Sequence, residues 1–339
     1  MKAVAIKSPK EVNVISIEEP KKKPNEVLVQ IYAAGICGSD IGAFMGSNPL
    51  VSYPRIIGHE VSGVVIEPDE AKSFKAGDRV VLDPYQFCGS CYPCSIGRTN
   101  CCTSLKVIGV HIDGAMQERV AYPAKFTRLV PDSLDLKTAS LAEPLTIALH
   151  AAHRLELKAG EHIAISGAGA IGMLIALVAR HYEAVPILID VLDSRLDYAK
   201  DLGIEHVINP ARENAQERVK EITKNRGCEA VAEASGANAA IRASIDYASH
   251  AGRICFTGWP KNPTELPTNL FTFKELDIRG SRTSAGEFDE ALDILDKGAI
   301  KPEWIVNKTV SLSEAAEFLQ DQAARPECYL KISVELEKE

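Results

Sequence analysis

The chain has 339 residues, which at roughly 150 residues per domain predicts about two domains. Lys and Arg total 38 against 46 Asp and Glu, a formal net charge of −8, and a surface of that sign argues against nucleic-acid binding. No apolar run approaches the roughly 20 residues that span a bilayer. The first residues turn polar too early for a signal peptide, so we expect a cytoplasmic protein without a membrane segment.

The first 135 or so residues predict a β-rich region. Short β-branched runs recur there between Gly, Pro and Asp, among them VLVQIYAAG at 27–35, VSGVVIEP at 61–68 and DRVVLDP at 78–84. Such runs with long loops are typical of an all-β or barrel-like domain. From about 137 the pattern becomes helical, with Pro144 near a helix start or at a kink.

Strands and helices alternate from 161 to about 281. The predicted strands are EHIAIS, VPILID, HVIN, EAVAEA, RICFTG and LDIRGS. The predicted helices between them are AIGMLIALVARHY, SRLDYAKDLG, NAQERVKEITKNRG and ANAAIRASIDYASH. This alternation predicts a parallel doubly wound sheet. Helices near 287–298 and 313–324 and a final strand within YLKISVEL follow.

A glycine-rich turn between the strand EHIAIS and the next helix predicts a dinucleotide site. Its residues are Gly167, Gly169, Ile171 and Gly172. Free N–H groups and the helix dipole favour a pyrophosphate there. Asp190 ends the next strand, where a carboxylate binds a ribose 2′-hydroxyl and repels a 2′-phosphate, which favours NAD over NADP. Arg195 keeps NADP open, and the alternatives are a purely structural turn and a helix-capping Asp190.

Nine cysteines in a large chain are poorly explained by disulfides and better by metal ligands or buried thiols. Four of them follow the spacing C-x2-C-x2-C-x7-C, which suits one structural zinc bound by four sulfurs. These residues are Cys88, Cys91, Cys94 and Cys102. Cys101 adjoins Cys102, and the spacing alone barely separates the two.

A second, dispersed set has the composition of a catalytic zinc site. Cys37 lies in GICGSD, His59 and Glu60 lie in GHE, and Glu143 lies in LAEPL. A thiolate, an imidazole and a carboxylate leave one coordination position open for substrate. Glycines flank Cys37 and precede His59, but sequence spacing cannot prove that these residues meet, and ordinary buried residues are the alternative.

Together these motifs resemble the zinc-dependent medium-chain alcohol and polyol dehydrogenases over essentially the whole chain. The matching segments are GICGSD, GHE, the four-cysteine lobe, LAEP, GAGAIG with Asp190, EASG at 233–236 and GSR at 280–282. The resemblance implies an α/β fold with a GroES-like β-rich catalytic domain at 1–145, completed by 286–339. A Rossmann NAD-binding domain with a doubly wound parallel sheet would occupy 146–285.

The resemblance also implies roles for individual residues and one catalytic zinc, one structural zinc and one NAD per chain. Cys37, His59 and Glu143 would ligate the catalytic zinc, with Glu60 beside it or exchanging as a ligand. Cys102 rather than Cys101 would complete the structural site. Ser39 would begin a proton relay from the substrate hydroxyl. Many relatives continue the relay with a histidine where this chain has Gly42, so the end of the relay stays open.

The implied reaction is oxidation of a secondary alcohol, class EC 1.1.1.-, with hydride transfer to NAD. Glutamate in LAEP resembles the polyol branch. Finer motifs look most like bacterial L-galactonate 5-dehydrogenases, which oxidise a sugar acid; these are SYPRIIGHE, GRTNCC, VIGVHIDG and GSR. Arg282 and His111 are the candidate partners of a substrate carboxylate. A surface ion pair for Arg282 and a structural loop role for His111 are the alternatives.

Two other functions remain open at this point. A general polyol dehydrogenase, sorbitol-like or threonine-type, would use the same scaffold. A regulatory NAD-binding protein would keep the dinucleotide site and structural zinc without catalysis; Gly42 favours it, and the joint presence of Cys37, His59 and Glu143 argues against it. The family is commonly a homodimer or homotetramer, and we expect no partner beyond a small polyhydroxylated substrate.

Overall fold

The computed structural model describes residues 1–336, and within it the chain divides into two units. The first consists of Met1–Glu143 together with the chain from Ala285 onward, and the second is Pro144–Ser284. The first unit is therefore discontinuous in sequence, with the second inserted into it. The predicted boundaries at 145/146 and 285/286 fall close to these positions.

The strands and helices follow in chain order. The strands are β1 (Lys2–Ser8), β2 (Glu11–Ser16), β3 (Glu26–Ile36), β4 (Arg55–Ile56), β5 (Glu60–Glu67), β6 (Arg79–Leu82), β7 (Tyr85–Gln86), β8 (Lys106–Val107), β9 (Arg119–Pro123), β10 (Thr127–Leu129), β11 (His162–Ser166), β12 (Val185–Ile189), β13 (His206–Ile208), β14 (Cys228–Glu233), β15 (Ala248–Phe256), β16 (Asp277–Gly280), β17 (Lys308–Ser311) and β18 (Ile332–Glu335). The helices are α1 (Gly38–Phe44), α2 (Tyr92–Ser95), α3 (Leu136–Ala139), α4 (Ala142–Leu155), α5 (Ala170–His181), α6 (Asp193–Asp201), α7 (Ala215–Ile222), α8 (Asn238–Tyr247), α9 (Thr268–Lys274), α10 (Phe288–Asp296) and α11 (Ala315–Ala324). Single 3-10 turns cover Thr99–Cys101, Ala124–Phe126 and Pro302–Trp304.

The first unit is mainly β-sheet. Its largest sheet has the order β10-β6-β5-β3-β18-β17, with β9 also paired to β3; smaller sheets are β2-β1-β4 and β7-β8. The central strand β3 is buried along most of its length because it has neighbours on both sides and core side chains on both faces. Since β18 pairs with β3, the C-terminal segment supplies part of this central sheet.

The second unit is a six-stranded parallel sheet in the order β13-β12-β11-β14-β15-β16. The inner strands read as continuous apolar runs, such as HIAIS in β11 and VPILI in β12, because helices cover both faces of such a sheet. The predicted α/β class with a doubly wound parallel sheet is confirmed. The order reverses next to β11, which is where such sheets bind ligands at their carboxyl ends.

Two features of the second unit differ from the prediction. Helix α9 lies in a proline-rich stretch for which the sequence pattern predicted no element, and Pro267 precedes its first residue. Strand β15 begins at Ala248, inside the segment predicted as the end of a helix. Across residues 1–336, no helix combines the length and the apolar character needed to cross a bilayer.

Candidate metal and cofactor sites

Cys37, His59 and Glu60 meet at one end of the central antiparallel strands. Strand β3 ends just before Cys37, and its partner β5 begins at Glu60, so the pairing places Gly35 opposite Glu60. The sulfur, imidazole nitrogen and carboxylate oxygen of the three residues all lie within 4.8 Å of one another. Sheet register, rather than proximity in sequence, therefore assembles this set.

Two glycines in the predicted motifs have a steric role in this arrangement. A Cβ on Gly35 would lie 1.9 Å from Glu60 Oε2, so any side chain there would displace the carboxylate. Gly58, before His59, has a φ of +95°, and a Cβ on it would lie 2.7 Å from the backbone nitrogen of Met116. The glycines noted in the sequence thus make room for the donor atoms beside them.

His59 is oriented by two residues of α1. Its Nδ1 lies 3.9 Å from Asp40 Oδ1, and its Nε2 lies 3.5 Å from the Ser39 hydroxyl. Asp40 is itself held because its Oδ2 accepts a hydrogen bond of 2.9 Å from the Cys37 backbone N–H. Burial alone would lower the pKa of His59, but the thiol of Cys37 and the carboxylate of Asp40 raise it well above its usual value. These surroundings favour positive charge at the imidazole.

Glu143 does not belong to the set of mutually close donor atoms. It lies buried in the first turn of α4, and its Oε1 accepts a hydrogen bond from the hydroxyl of Tyr85. Burial raises the pKa of Glu143 to about 7, and the negative charge of Glu60 contributes in the same direction. The structure thus brings Glu60 into the position among the donors where Glu143 was predicted.

Lys331 is a residue of this site that the sequence analysis missed. Its Nζ lies 2.5 Å from Glu60 Oε1 and 2.7 Å from Oε2, and both side chains are buried. It arrives there because β18 pairs with β3, with Ile332 opposite Ile36. A lone lysine within the apolar run YLKISVEL was the available signal. Nothing in the sequence around Tyr85, the other missed residue, indicated that it lies at this site.

The charge balance of this site fits a bound metal ion. Four acidic groups lie at the site, the carboxylates of Asp40, Glu60 and Glu143 and the thiol of Cys37, against two basic groups, those of Lys331 and His59. Unbalanced buried charge is costly, and a dication would compensate for it. Sulfur, nitrogen and oxygen donors together are typical of catalytic zinc.

The four predicted cysteines of the second metal site also come together. The sulfurs of Cys88, Cys91, Cys94 and Cys102 lie within 4.8 Å of one another, and Cys101 is not part of the set. The backbone N–H groups of Ser90 and Cys91 donate hydrogen bonds to the Cys88 sulfur and lower the pKa of this thiol to about 5. A preformed thiolate within a set of four sulfurs fits a structural zinc.

The glycine-rich turn joins β11 to α5 as predicted for a dinucleotide site. Gly167 has a φ of +99°, which favours glycine, and a Cβ on Gly172 would lie 1.7 Å from the carbonyl oxygen of Gly167. Gly169 precedes the helix and Ile171 lies in its first turn. The close approach leaves the backbone N–H groups at the helix start available for a phosphate.

Asp190 lies beside this turn, at the end of β12. Its Oδ2 accepts a hydrogen bond of 2.6 Å from the backbone N–H of Ala168, and its Oδ1 accepts one of 2.9 Å from that of Leu192. The guanidinium of Arg195 lies 4.0 Å from the same carboxylate. The acidic and the basic residue that bear on the choice between NAD and NADP are therefore adjacent.

The two predicted substrate residues lie in different units. Arg282 is exposed just after β16 in the second unit. His111 lies in the loop after β8 in the first unit, where its Nδ1 accepts a hydrogen bond of 3.1 Å from the backbone N–H of Val107. This contact gives His111 a structural role in its own loop.

Two family models match the chain, one for each unit. The model of the alcohol dehydrogenase GroES-like domain matches residues 23–132, and that of the zinc-binding dehydrogenases matches residues 170–297. The match over 23–132 agrees with the predicted GroES-like domain.

Relatives are similar over nearly the whole chain. An uncharacterized zinc-type alcohol dehydrogenase-like protein of Haemophilus influenzae is 57% identical over 98% of both chains. The starvation-sensing protein RspB of Escherichia coli is 36% identical over 95% of this chain and 96% of its own. L-galactonate-5-dehydrogenase of Escherichia coli is 30% identical over 94% of both. Sorbitol dehydrogenase of Bacillus subtilis, at 31% over 94% and 93%, and L-threonine 3-dehydrogenase of Escherichia fergusonii, at 34% over 83% and 84%, are similarly distant.

Solved structures agree in fold and differ in cofactor. A putative zinc-binding dehydrogenase from Sinorhizobium meliloti bound to NADP has a TM-score of 0.92 at 29% identity, covering 98% of both chains. RspB from Escherichia coli complexed with NADH has a TM-score of 0.90 at 34% identity, covering 99% of both. With both units matched and relatives well above 30% identity along its length, the chain belongs to the zinc-dependent medium-chain dehydrogenase family.

Proposed function

We propose that this protein oxidises a secondary alcohol of a sugar acid, such as L-galactonate, to the keto acid with NAD. The observation that carries the proposal is the cluster of the half-buried Cys37 with the buried His59 and Glu60, whose donor atoms lie within 4.8 Å of one another. A set of this composition with few ligands leaves a position for substrate. The Escherichia coli relative named L-galactonate-5-dehydrogenase supports the substrate class.

The residues of the metal site have different roles in this proposal. Cys37 and His59 hold the zinc together with a carboxylate, from Glu143 or from Glu60. When bound, the zinc supplies a Lewis acid for the alcohol, and the nicotinamide dinucleotide supplies the hydride acceptor. The Ser39 hydroxyl, 3.5 Å from His59 Nε2, would accept the proton of the alcohol while passing its own proton on through water or the cofactor ribose, so that Ser39 itself stays neutral. Gly42 offers no side chain to carry that proton further.

The glycine-rich turn and Asp190 bind the dinucleotide in this proposal. The backbone N–H groups at the start of α5 would bind the pyrophosphate. The Asp190 carboxylate, fixed beside the turn by Ala168, accepts from the ribose 2′-hydroxyl and repels a 2′-phosphate. Arg195 stands close enough to favour the phosphate instead, so relative kcat/KM with NAD and NADP tests this assignment.

Arg282 is our proposed partner for the substrate carboxylate, with His111 as the second candidate. A guanidinium binds a carboxylate through two parallel hydrogen bonds, a geometry that lysine does not offer. The side chain of Arg282 is exposed.

The test is NADH formation, followed by absorbance, on L-galactonate, other aldonates, sorbitol, galactitol and threonine. We expect turnover on an aldonate that is lost after removal of the zinc and restored by its return. Arg282→Ala should then lower kcat/KM on the aldonate by about 10- to 100-fold and leave neutral polyols unaffected. Turnover on neutral polyols or threonine alone would contradict the sugar-acid assignment and leave a general polyol or threonine-type dehydrogenase.

We also propose that the chain forms a homodimer or homotetramer in the cytoplasm. Strand β16 ends the parallel sheet, and its exposed edge can pair with another copy. All nine cysteines are free thiols, which is typical of proteins in a reducing compartment and supports the location. Light scattering coupled to size-exclusion chromatography tests the assembly, and a monomer at micromolar concentration would contradict it.

A further inference from the structure

Asn209 is a buried polar residue of the second unit that the proposed reaction does not use. It follows β13 directly and is 7% exposed. Strand β13 pairs in parallel with β12, with Ile208 opposite Ile189, so the two strands end side by side. The next residue of each strand, Asn209 on one and Asp190 on the other, therefore lies at the carboxyl edge of the sheet, where such sheets bind ligands.

The side-chain amide of Asn209 connects two loops. Its Nδ2 donates a hydrogen bond of 3.1 Å to the carbonyl oxygen of Val191 and one of 2.6 Å to Asp193 Oδ1. Its Oδ1 accepts a hydrogen bond of 2.9 Å from the backbone N–H of Ala211, in its own loop. Both ends of the amide are therefore engaged, and this single side chain holds the loop after β12 against the loop after β13.

The loop that Asn209 holds is the one that carries Asp190. The Asp190 carboxylate accepts hydrogen bonds from Ala168 in the glycine-rich turn and from Leu192 in its own loop. Val191 is 62% exposed, so its side chain contributes little packing to this segment. The hydrogen bonds from Asn209 therefore restrain the backbone directly after Asp190.

A carboxylate distinguishes a ribose 2′-hydroxyl from a 2′-phosphate best when it is fixed in place. An acceptor that is ordered before the ligand arrives loses less freedom on binding, and a fixed negative charge repels a phosphate at a defined distance. The guanidinium of Arg195, 4.0 Å from the Asp190 carboxylate, would attract that phosphate. A displacement of Asp190 therefore changes the balance between the two dinucleotides.

We propose that Asn209 is a positioning residue that sets the preference for NAD over NADP by fixing the loop that carries Asp190. This inference rests on the proposed assignment of Asp190 to the ribose 2′-hydroxyl and deepens it, because it identifies the side chain that holds the carboxylate in place. Asn209 acts through Asp190 and makes no contact of its own with the dinucleotide.

Asn209→Ala removes the amide without changing the charge of the protein. Calorimetric binding of ADP-ribose and of 2′-phospho-ADP-ribose reports on this half of the dinucleotide site without nicotinamide, zinc or turnover. We expect ADP-ribose to bind about 10-fold more weakly than to wild type and 2′-phospho-ADP-ribose to lose less than about twofold, so the preference falls about fivefold or more. An unchanged preference, including equal weakening of both ligands, would overturn the proposal.

Asn214→Ala is the matched control, because it makes the same chemical change in the same segment of the chain. Asn214 caps α7, where its Oδ1 accepts a hydrogen bond of 3.3 Å from the backbone N–H of Glu217. Loss of this cap should lower the melting temperature and leave the ratio of the two dissociation constants at its wild-type value. The same change of ratio in Asn214→Ala and Asn209→Ala would overturn the proposal, since reduced stability would then explain it.

Asp190→Ala tests the route of the effect. This variant should lose the preference, and adding Asn209→Ala to it should change the ratio by less than about twofold, since coupled residues are not additive. A large further change in the double variant would overturn the proposal. A wild-type protein that binds 2′-phospho-ADP-ribose as well as ADP-ribose would overturn it together with the assignment of Asp190. Selective binding of ADP-ribose by a wild-type protein that oxidises no alcohol would instead contradict the proposed function alone.

Discussion

Lys331 and Glu60 form a buried ion pair that joins the C-terminal strand to the metal site. The ammonium contacts both carboxylate oxygens, at 2.5 Å and 2.7 Å, while the two side chains are 4% and 1% exposed. It also lies 3.4 Å from the carbonyl oxygen of Ile36, just before Cys37. The pair therefore holds the Glu60 carboxylate near Cys37 and His59 and connects β18 to the end of β3.

Lys331→Met should destabilise the metal-free protein by about 3–5 kcal/mol, because it leaves the Glu60 carboxylate buried without its counter-charge. The loss should be smaller with zinc bound, since the metal compensates the same carboxylate. Urea unfolding with and without chelator measures both. Lys297→Met removes an exposed pair with Asp293 and should cost less than about 1 kcal/mol. Equal losses in the two variants would contradict a structural role for the buried pair.

Gly35→Ala should displace the Glu60 carboxylate, because the added Cβ would lie 1.9 Å from Oε2. We expect loss of zinc from the Cys37 site and a cost of about 1–3 kcal/mol from the strained contact. Metal analysis should fall from two zinc ions per chain to one. Gly38→Ala is the control, since a Cβ at Gly38 meets no atom within 4 Å. Retention of both ions in Gly35→Ala would show that Glu60 is not needed for metal binding.

Cys102→Ser should remove the structural zinc, and Cys101→Ser should not. The four sulfurs that lie together include that of Cys102 and exclude that of its neighbour. Loss of a metal that binds a loop with little core of its own should lower the melting temperature by several degrees at least. Metal content and thermal unfolding of the two serine variants, compared side by side, distinguish the two cysteines. A lower zinc content in Cys101→Ser would reassign the fourth ligand.

Asp83 should make stability depend on pH in the acid range. Burial raises the pKa of this carboxyl to about 6, above the value near 3.8 of an unfolded chain. The folded protein then binds a proton more readily than the unfolded one, so this group contributes stability below about pH 4 that is lost as pH rises to 6. The total is on the order of 3 kcal/mol.

Asp83→Asn removes that titration. Its free energy of unfolding should rise relative to wild type between pH 4 and pH 7, because the charged form no longer has to be buried. Urea unfolding at several pH values measures the difference in unfolding free energy between Asp83→Asn and wild type. The other titrating groups are the same in both proteins, so their contributions cancel in this difference. A constant difference over this range would show that Asp83 titrates normally, with its partner Arg128 at 3.6 Å compensating for burial.

The parts of the site that could be predicted from sequence are those whose residues are close together in the chain. The glycine-rich turn lies within six residues between a strand and a helix, and the four cysteines lie within one loop. Local spacing carries the geometry in both cases. The parallel sheet was predictable for a similar reason, because each buried strand reads as one short apolar run.

The remaining contacts of the site join residues that lie far apart in the chain. Lys331 reaches Glu60 across 271 positions, and Tyr85 reaches Glu143 across 58. No periodicity in one sequence reports such a pairing. The place of Glu60 inside the donor set follows from the register of β3 with β5, where Gly35 faces Glu60. A pattern of residue types cannot provide that register.

The pairing of β18 with β3 also sets an order of events during synthesis. The second unit is one continuous segment, Pro144–Ser284, and all its strands are synthesised before residues 285–336. The first unit cannot be completed at that stage. Its central strand β3 lacks the neighbour β18, and Glu60 lacks its counter-charge, until Lys331 has been made. Domains generally fold as units in the order of synthesis. We therefore expect the nascent chain to complete its second unit before its first, whose Cys37–His59–Glu60 cluster lacks a neighbour until Lys331 has been made.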